Sequence, residues 1–225
     1  MTPLERIDDM QAALRPKPGS FDPSRFGDPL AAKTAWGPLC HGGSNFRTHA
    51  GVEVSPERFE FQPTAGAKMF AGVFAVFGLV PAFLVWKFMG NLDTPLKYVV
   101  ALPALLFLGV AWLLWTWLAR PVVFDRREDW FYKGKRSPAE DPSLGSGKDA
   151  CPLSRIRAIQ IVPERVSSRN GGFGSWEINA VLEDGSRRNV VDHGSEAAVR
   201  TDAAALASFL SVPLWNLPDG FRPTS

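Results

Sequence analysis

The chain is short of cysteine, histidine and net charge, and each shortage removes a class of function. Two cysteines, Cys40 and Cys151, in 225 residues make no disulfide framework and suit a reducing compartment. A formal net charge of +2 supplies none of the global basicity that grips a phosphate backbone, so nucleic acid is not an expected partner. The opening residues Met-Thr-Pro-Leu-Glu-Arg-Ile-Asp-Asp contain no apolar run, and the first such run comes too late for a cleaved signal peptide. Insertion into a membrane would have to be directed by that run itself. Cys40 and His41, with His49, are the only grouping of metal-ligand residue types. Three ligands at that spacing fall short of the four a structural zinc site needs, and no cofactor is expected.

Uninterrupted apolar sequence, by contrast, is abundant. Residues 69–88 and 98–119 form two runs of about 20 residues, which at roughly 1.5 Å per residue cross the roughly 30 Å hydrocarbon core of a bilayer. The second run has no charge. In the first, Lys87 stands one residue from the end, where its stem follows the helix and its ammonium reaches the headgroups. Trp86 and Tyr98 at one interface, and Trp112, Trp115 and Trp117 towards the other, make an aromatic belt. Pro81 and Pro103 each remove a backbone donor and predict kinks. Neither run carries a carboxylate, histidine or arginine, so no ion or proton path is expected. Arg58 and Lys68 precede the pair, and Arg120, Arg126, Arg127, Lys133, Lys135 and Arg136 follow it, against Lys87 and Lys97 at the connection. This asymmetry predicts both termini in the cytoplasm.

Around this hairpin of residues 65–120, the chain divides into four further stretches. Residues 1–45 form an arm with a short amphipathic helix over 3–14, followed by a Pro-, Gly- and Ser-rich segment carrying Phe21, Phe26 and Trp36. Within 46–64, alternation on both sides of Ser55-Pro56-Glu57 predicts a β-hairpin with Val52, Val54, Phe59 and Phe61 on its apolar face. A lone hairpin is marginal in water, so this one is expected to join the strands that follow the second apolar run. Residues 121–212 predict strands over 122–124, 129–133 and 154–162, the last with a change of face that suggests a bulge. A turn over 169–175, two strands about Asp184-Gly185 and a helix starting at Ser195 and stopped by Pro213 complete that stretch. Residues 213–225 read as an extended tail.

The succession of two apolar runs, Trp130-Phe131-Tyr132-Lys133-Gly134, then Pro152-Leu153-Ser154-Arg155-Ile156-Arg157-Ala158-Ile159, then Asp-Gly between strands and a closing helix resembles the bacterial PH-like domain membrane proteins of the two-span type. The resemblance covers residues 102–210. It implies an α+β membrane protein of the bacterial inner membrane, a two-helix transmembrane hairpin bearing a small antiparallel β PH-like cytoplasmic domain capped by a C-terminal helix. It also implies no catalytic activity.

The residues themselves agree with binding rather than chemistry. The Ser143–Lys148 stretch has Pro142 where a phosphate loop has its first glycine, and Asp149 where it needs a hydroxyl for magnesium. Asp192, His193 and Ser195 are triad residue types, but neighbours in sequence cannot aim at one another as nucleophile, base and orienter. Arg120, Arg126, Arg127, Lys133, Lys135 and Arg136 are candidate contacts to anionic headgroups, besides marking the cytoplasmic flank. Phe21, Phe26 and Trp36 are candidate anchors for a protein partner. The expected function is that of a non-catalytic, membrane-anchored accessory or adaptor protein. Its partners would be the bilayer and a membrane or cytoplasmic protein, or a second copy of itself. The alternative is a metal-dependent or redox membrane enzyme component using Cys40, His41 and His49.

Overall fold

The computed structural model describes residues 21–40, 42–43, 45–89, 96–168 and 171–217; the helix expected over 3–14, His41 and most of the connection between the apolar runs lie outside the described residues. In chain order the elements are α1 (Pro29–Lys33), β1 (His49–Ser55), β2 (Arg58–Pro63), α2 (Ala65–Leu84), α3 (Leu96–Leu118), β3 (Val122–Asp125), β4 (Trp130–Lys133), β5 (Ala150–Pro152), β6 (Ile156–Ser168), β7 (Gly171–Leu182), β8 (Arg187–His193), α4 (Glu196–Leu210) and β9 (Leu214–Asn216). They form an α+β protein of two compact units. Phe46–Ser154 is one, and Met1–Asn45 with Arg155–Ser225 is the other. The single domain expected over 121–212 is therefore divided at Ser154, its first strands belonging with the helices and the rest with the arm.

In the unit of Phe46–Ser154, α2 begins four residues ahead of the apolar run, because the Thr64 hydroxyl accepts the Ala67 N–H and caps a first turn made of Ala65, Gly66, Ala67 and Lys68. Past Pro81 the helix relaxes into a π-helical turn, Val85–Met89. The helices α2 and α3 pack along a seam of small side chains. Ala67 and Ala71 meet Leu118, with Leu114 beside them. Further along, a Cβ on Gly78 would fall 2.6 Å from Leu108 Cγ and 3.0 Å from the Ala104 carbonyl oxygen. Positions 67, 71, 74 and 78 face 104, 107, 111, 114 and 118 in alternating steps of three and four, the spacing that keeps one stripe of each helix inside. The other faces are apolar and exposed, as at Met69, Val76, Phe77, Leu102, Leu106 and Trp112. Both helices are long and apolar enough to cross a membrane, and only 11% and 17% of their most apolar stretches are buried within the chain.

The sheet of this unit has the order β1-β2-β3-β4-β5, antiparallel throughout. The hairpin before the helices thus joins the strands after them, Phe61 pairing with Val122 and Phe59 with Phe124. Phe59, Phe61, Phe124 and Phe131 fill one buried face, with ring centroids 4.8–6.5 Å apart. One expectation fails here. Val52 and Val54 do not share that face; Val52 pairs with Glu60, and the two valines are 42% and 51% exposed. Opposed residues of an antiparallel pair point the same way, so the register puts Val52 with Glu60.

In the second unit the sheet runs β8-β7-β6-β9, with β9 parallel to β6. The change of face expected in β6 is a register shift between Ile156 and Ala158. The turn expected over 169–175 is instead mostly strand. Arg169 and Asn170 lie outside the described residues, and Gly171, Gly172 and Gly174 pair with Ser168, Ser167 and Arg165 in an unbroken ladder, which gives these glycines strand partners on the β6 side. Ser195 caps α4, which ends on Ser211 in the left-handed region, packs against β6, β7 and β8, and buries Val199, Ala203, Leu206 and Phe209. The tail expected after α4 starts as β9, with Trp215 buried.

Candidate functional site

Alternation along β6 and β7 puts Ala158, Gln160, Glu177, Asn179 and Val181 on one face of the second sheet, and the β6 pairing adds Trp215. The arm folds onto this face. Ala31 packs with Ala158, Val181 and Trp215, and Phe26, Leu30 and Trp36 close around them. Phe26 and Trp36 stack at 5.3 Å, each lies about one ring away from Trp215 (5.9 and 6.0 Å), and Phe21 meets the edge of Trp36 at 4.6 Å. The three aromatics expected to reach a partner are thus half-buried in an internal cluster. A Pro- and Gly-rich segment cannot bury such rings by itself, and the apolar end of its own sheet does so.

From Ala35 onward the arm is held by its main chain. Gln160 Nε2 donates to the Ala35 carbonyl at 3.1 Å, and Arg187 Nη1 donates to the Gly37 carbonyl at 2.8 Å and to Gln160 Oε1 at 3.1 Å. The Glu177 carboxylate accepts the N–H groups of Leu39 and Cys40 at 2.7 and 2.9 Å, together with the side-chain amides of Asn179 and Asn189 at 3.2 and 2.9 Å. Glu164 accepts the N–H groups of Gly42 and Gly43 at 3.0 and 3.1 Å. Four side chains therefore bind six main-chain groups of residues 35–43. Glu177 is 2% exposed, so its bonds stand in a dry setting where an unmet acceptor would be costly. Burial lowers the pKa of the Arg187 guanidinium, and the Glu177 charge opposes that shift.

The strand alternation Trp176, Ile178, Ala180, Leu182 marks the apolar face of β7, and by subtraction Glu177 and Asn179 belong to the other. No local signal says that the partner of Glu177 stands 137 residues earlier.

On the other unit, the face of the five-stranded sheet opposite the four phenylalanines carries a charged cluster beside the edge strand β1. Arg58 bonds Glu60 at 2.6 Å and Asp125 at 3.0 Å. Burial alone would lower its pKa, but Glu60 and the Tyr132 phenol raise it on balance. The Tyr132 pKa is pushed up by burial, against the pull of Arg58.

The six basic residues named from the sequence do not form one group. Arg120 directly precedes the strand end where the Gly134 N–H donates to the Pro121 carbonyl, whereas Arg126 and Arg127 sit in the β3–β4 turn at the far end. Lys133 lies at the Arg120 end, and Lys135 follows Gly134 out of it. Arg136 leads away, to Ser137, whose hydroxyl donates to Glu128 of the turn. Cys40 is exposed on the arm, and His49 is buried in the other unit with its ring against Trp117. Among the described residues, no three His, Cys, Asp or Glu side chains gather as a metal site. Pro142–Ser146 is a 3-10 turn. Ser195 caps α4, and the charged neighbour of His193 is Asp202, 3.4 Å away and buried with it, so Asp192, His193 and Ser195 do not converge. No family model, no curated protein and no solved structure matches the chain.

Proposed function

We propose that this is a non-catalytic, membrane-anchored accessory protein that binds a protein partner beside the cytoplasmic face of the membrane, with both termini on that side. The observation that carries the reading is the helix pair α2–α3, which buries a narrow seam of small residues and turns nearly all its other apolar surface outward. A water-soluble core helix does the reverse. The partner's docking site would be the edge strand β1. It ends the five-stranded sheet, has β2 as its one strand partner among the described residues, and exposes Val52 and Val54. Strand addition at such an edge takes affinity from main-chain hydrogen bonds and specificity from alternate side chains. The PH-like resemblance supports the same class of function.

Two measurements test this. A cysteine placed at Asn91 should react with an impermeant reagent on intact cells, and one at Gly145 should not; the opposite pattern refutes the orientation. Purification from native membrane in mild detergent should bring down a partner that Val52→Lys with Val54→Lys loses, while the protein stays inserted. Retention of every co-purifying protein by that variant refutes the docking site.

A further inference from the structure

We infer that the end of the five-stranded sheet from which the helices rise is a binding site for the headgroups of anionic phospholipids, formed by Lys68, Arg120, Lys133 and Lys148. The inference rests on the membrane anchoring proposed above and gives it a lipid preference.

The backbone brings four cations from distant parts of the sequence to this end. Lys68 is in the first turn of α2, its N–H bonded to the Thr64 carbonyl, and Thr64 in turn donates its N–H to Thr48 beside the first residue of β1. Arg120 lies between α3 and β3. Lys133 ends β4 opposite Val122 and donates its N–H to the Asp149 carbonyl, which brings Lys148 alongside Gly134, itself bonded to Pro121. Lys68, Arg120 and Lys148 are exposed and Lys133 is half-buried. Asp149 is the acidic residue drawn to this end by the same ladder, and Arg47, whose carbonyl accepts the Thr64 hydroxyl, adds a further positive charge. The exposed apolar surface of the helices begins at this level, at Met69 and Trp117, so a lipid with its chains on the helices has its phosphate among these side chains.

Arg126 and Arg127 provide a control within the same hairpin. They lie past the four residues of β3, roughly 13 Å away at about 3.3 Å per residue, beyond the Debye length of about 8 Å at physiological salt. Sequence position alone groups them with Arg120. The fold separates them from it.

The test uses the full-length protein reconstituted in phosphatidylcholine bilayers with a trace of spin-labelled phosphatidylcholine or spin-labelled phosphatidylglycerol. A motionally restricted component from the phosphatidylcholine label reports that the helices meet lipid at all. Its absence overturns the anchoring and this site together. With that component present, the phosphatidylglycerol label should associate more strongly by about fivefold, the gain expected from even one basic residue near an anionic headgroup, and added salt should reduce the preference. Lys68→Gln, Arg120→Gln, Lys133→Gln and Lys148→Gln combined should abolish it, and the exposed single variants Arg120→Gln and Lys148→Gln should each lower it if the combined variant does not insert. Arg126→Gln with Arg127→Gln should leave it unchanged. Equal association of the two labels, or equal loss in the turn variant, overturns the site and leaves the anchoring intact.

Discussion

Replacing Glu177 by glutamine should release the arm without disturbing the helices. The substitution keeps the shape and removes one of two acceptor oxygens. Oε2 receives the N–H groups of Leu39 and Asn179, and Oε1 those of Cys40 and Asn189, so whichever way the new amide turns, two donors face an NH2 group. A buried donor left without an acceptor costs about 1–3 kcal/mol, and relief from burying a carboxylate returns part of that, leaving a net loss of about 2–4 kcal/mol. The loss falls on local opening of residues 37–43, because the aromatic cluster about Trp215 holds the arm separately. Amide hydrogen exchange followed by mass spectrometry reads this opening. Exchange at Leu39 and Cys40 should accelerate by about 30- to 1000-fold, at about 1.4 kcal/mol per decade. Glu164→Gln is the comparison: Glu164 is half-buried where Glu177 is 2% exposed, so water replaces the lost acceptor, and acceleration at Gly42 and Gly43 should stay below about tenfold. A change at Leu39 and Cys40 below about threefold, or one no larger than that of Glu164→Gln, would refute the clamp.

Three further outcomes are expected. Gly78→Val should destabilise the helix pair by about 1–3 kcal/mol because its side chain meets Leu108 and the Ala104 carbonyl, whereas Gly72→Val, with open space around it, should be tolerated; thermal unfolding in detergent separates the two. Trp36→Ala should cost about 2–3 kcal/mol by uncovering Trp215, and deletion of residues 1–45 should make the unit that contains Trp215 protease-sensitive rather than merely unable to bind. Tyr132 contributes stability fully below its ordinary pKa of 10.0; above that value the unfolded chain loses the proton first, so stability falls with rising pH towards the higher folded value. The decline in thermal midpoint from about pH 9 to about pH 11 should be shallower in Tyr132→Phe.

Features that depend on neighbours in sequence were legible from it. The apolar runs locate both helices to within a few residues, and the discrepancy at the start of α2 comes from a cap at Thr64 that lengthens the helix through alanine and glycine rather than through apolar bulk. Ser195 starts α4 as expected, since capping is a one-turn interaction. The joining of β2 to β3 followed from the need of an apolar hairpin for a partner sheet. Alternation within β1 and within β2 shows that each has an apolar side, but only the register between them reveals that Val52 faces with Glu60. The arm clamp was out of reach for a stronger reason. Main-chain N–H groups are the same in every residue, so nothing about Leu39 or Cys40 announces that a carboxylate far along the chain will accept from them. The basic residues are the converse case, since Arg120 lies close in sequence to Arg126 and Arg127 while the strand between them holds them apart.

The connections between helices and sheet are very short. Thr64 alone separates β2 from α2, and only Ala119, Arg120 and Pro121 separate α3 from β3. At about 3.5 Å per extended residue, the five-stranded sheet stands no more than about 10 Å from the ends of the helices, and the one-residue tether permits less. β2 and β3 are also zipped to each other, so neither helix can slide or turn about its axis without breaking ladder bonds between Phe61 and Val122. Edge strand β1 therefore has no tether on which to search. A partner docking there as proposed would have to come to it within about 10 Å of the ends of the helices, with a binding segment slender enough to enter from the side.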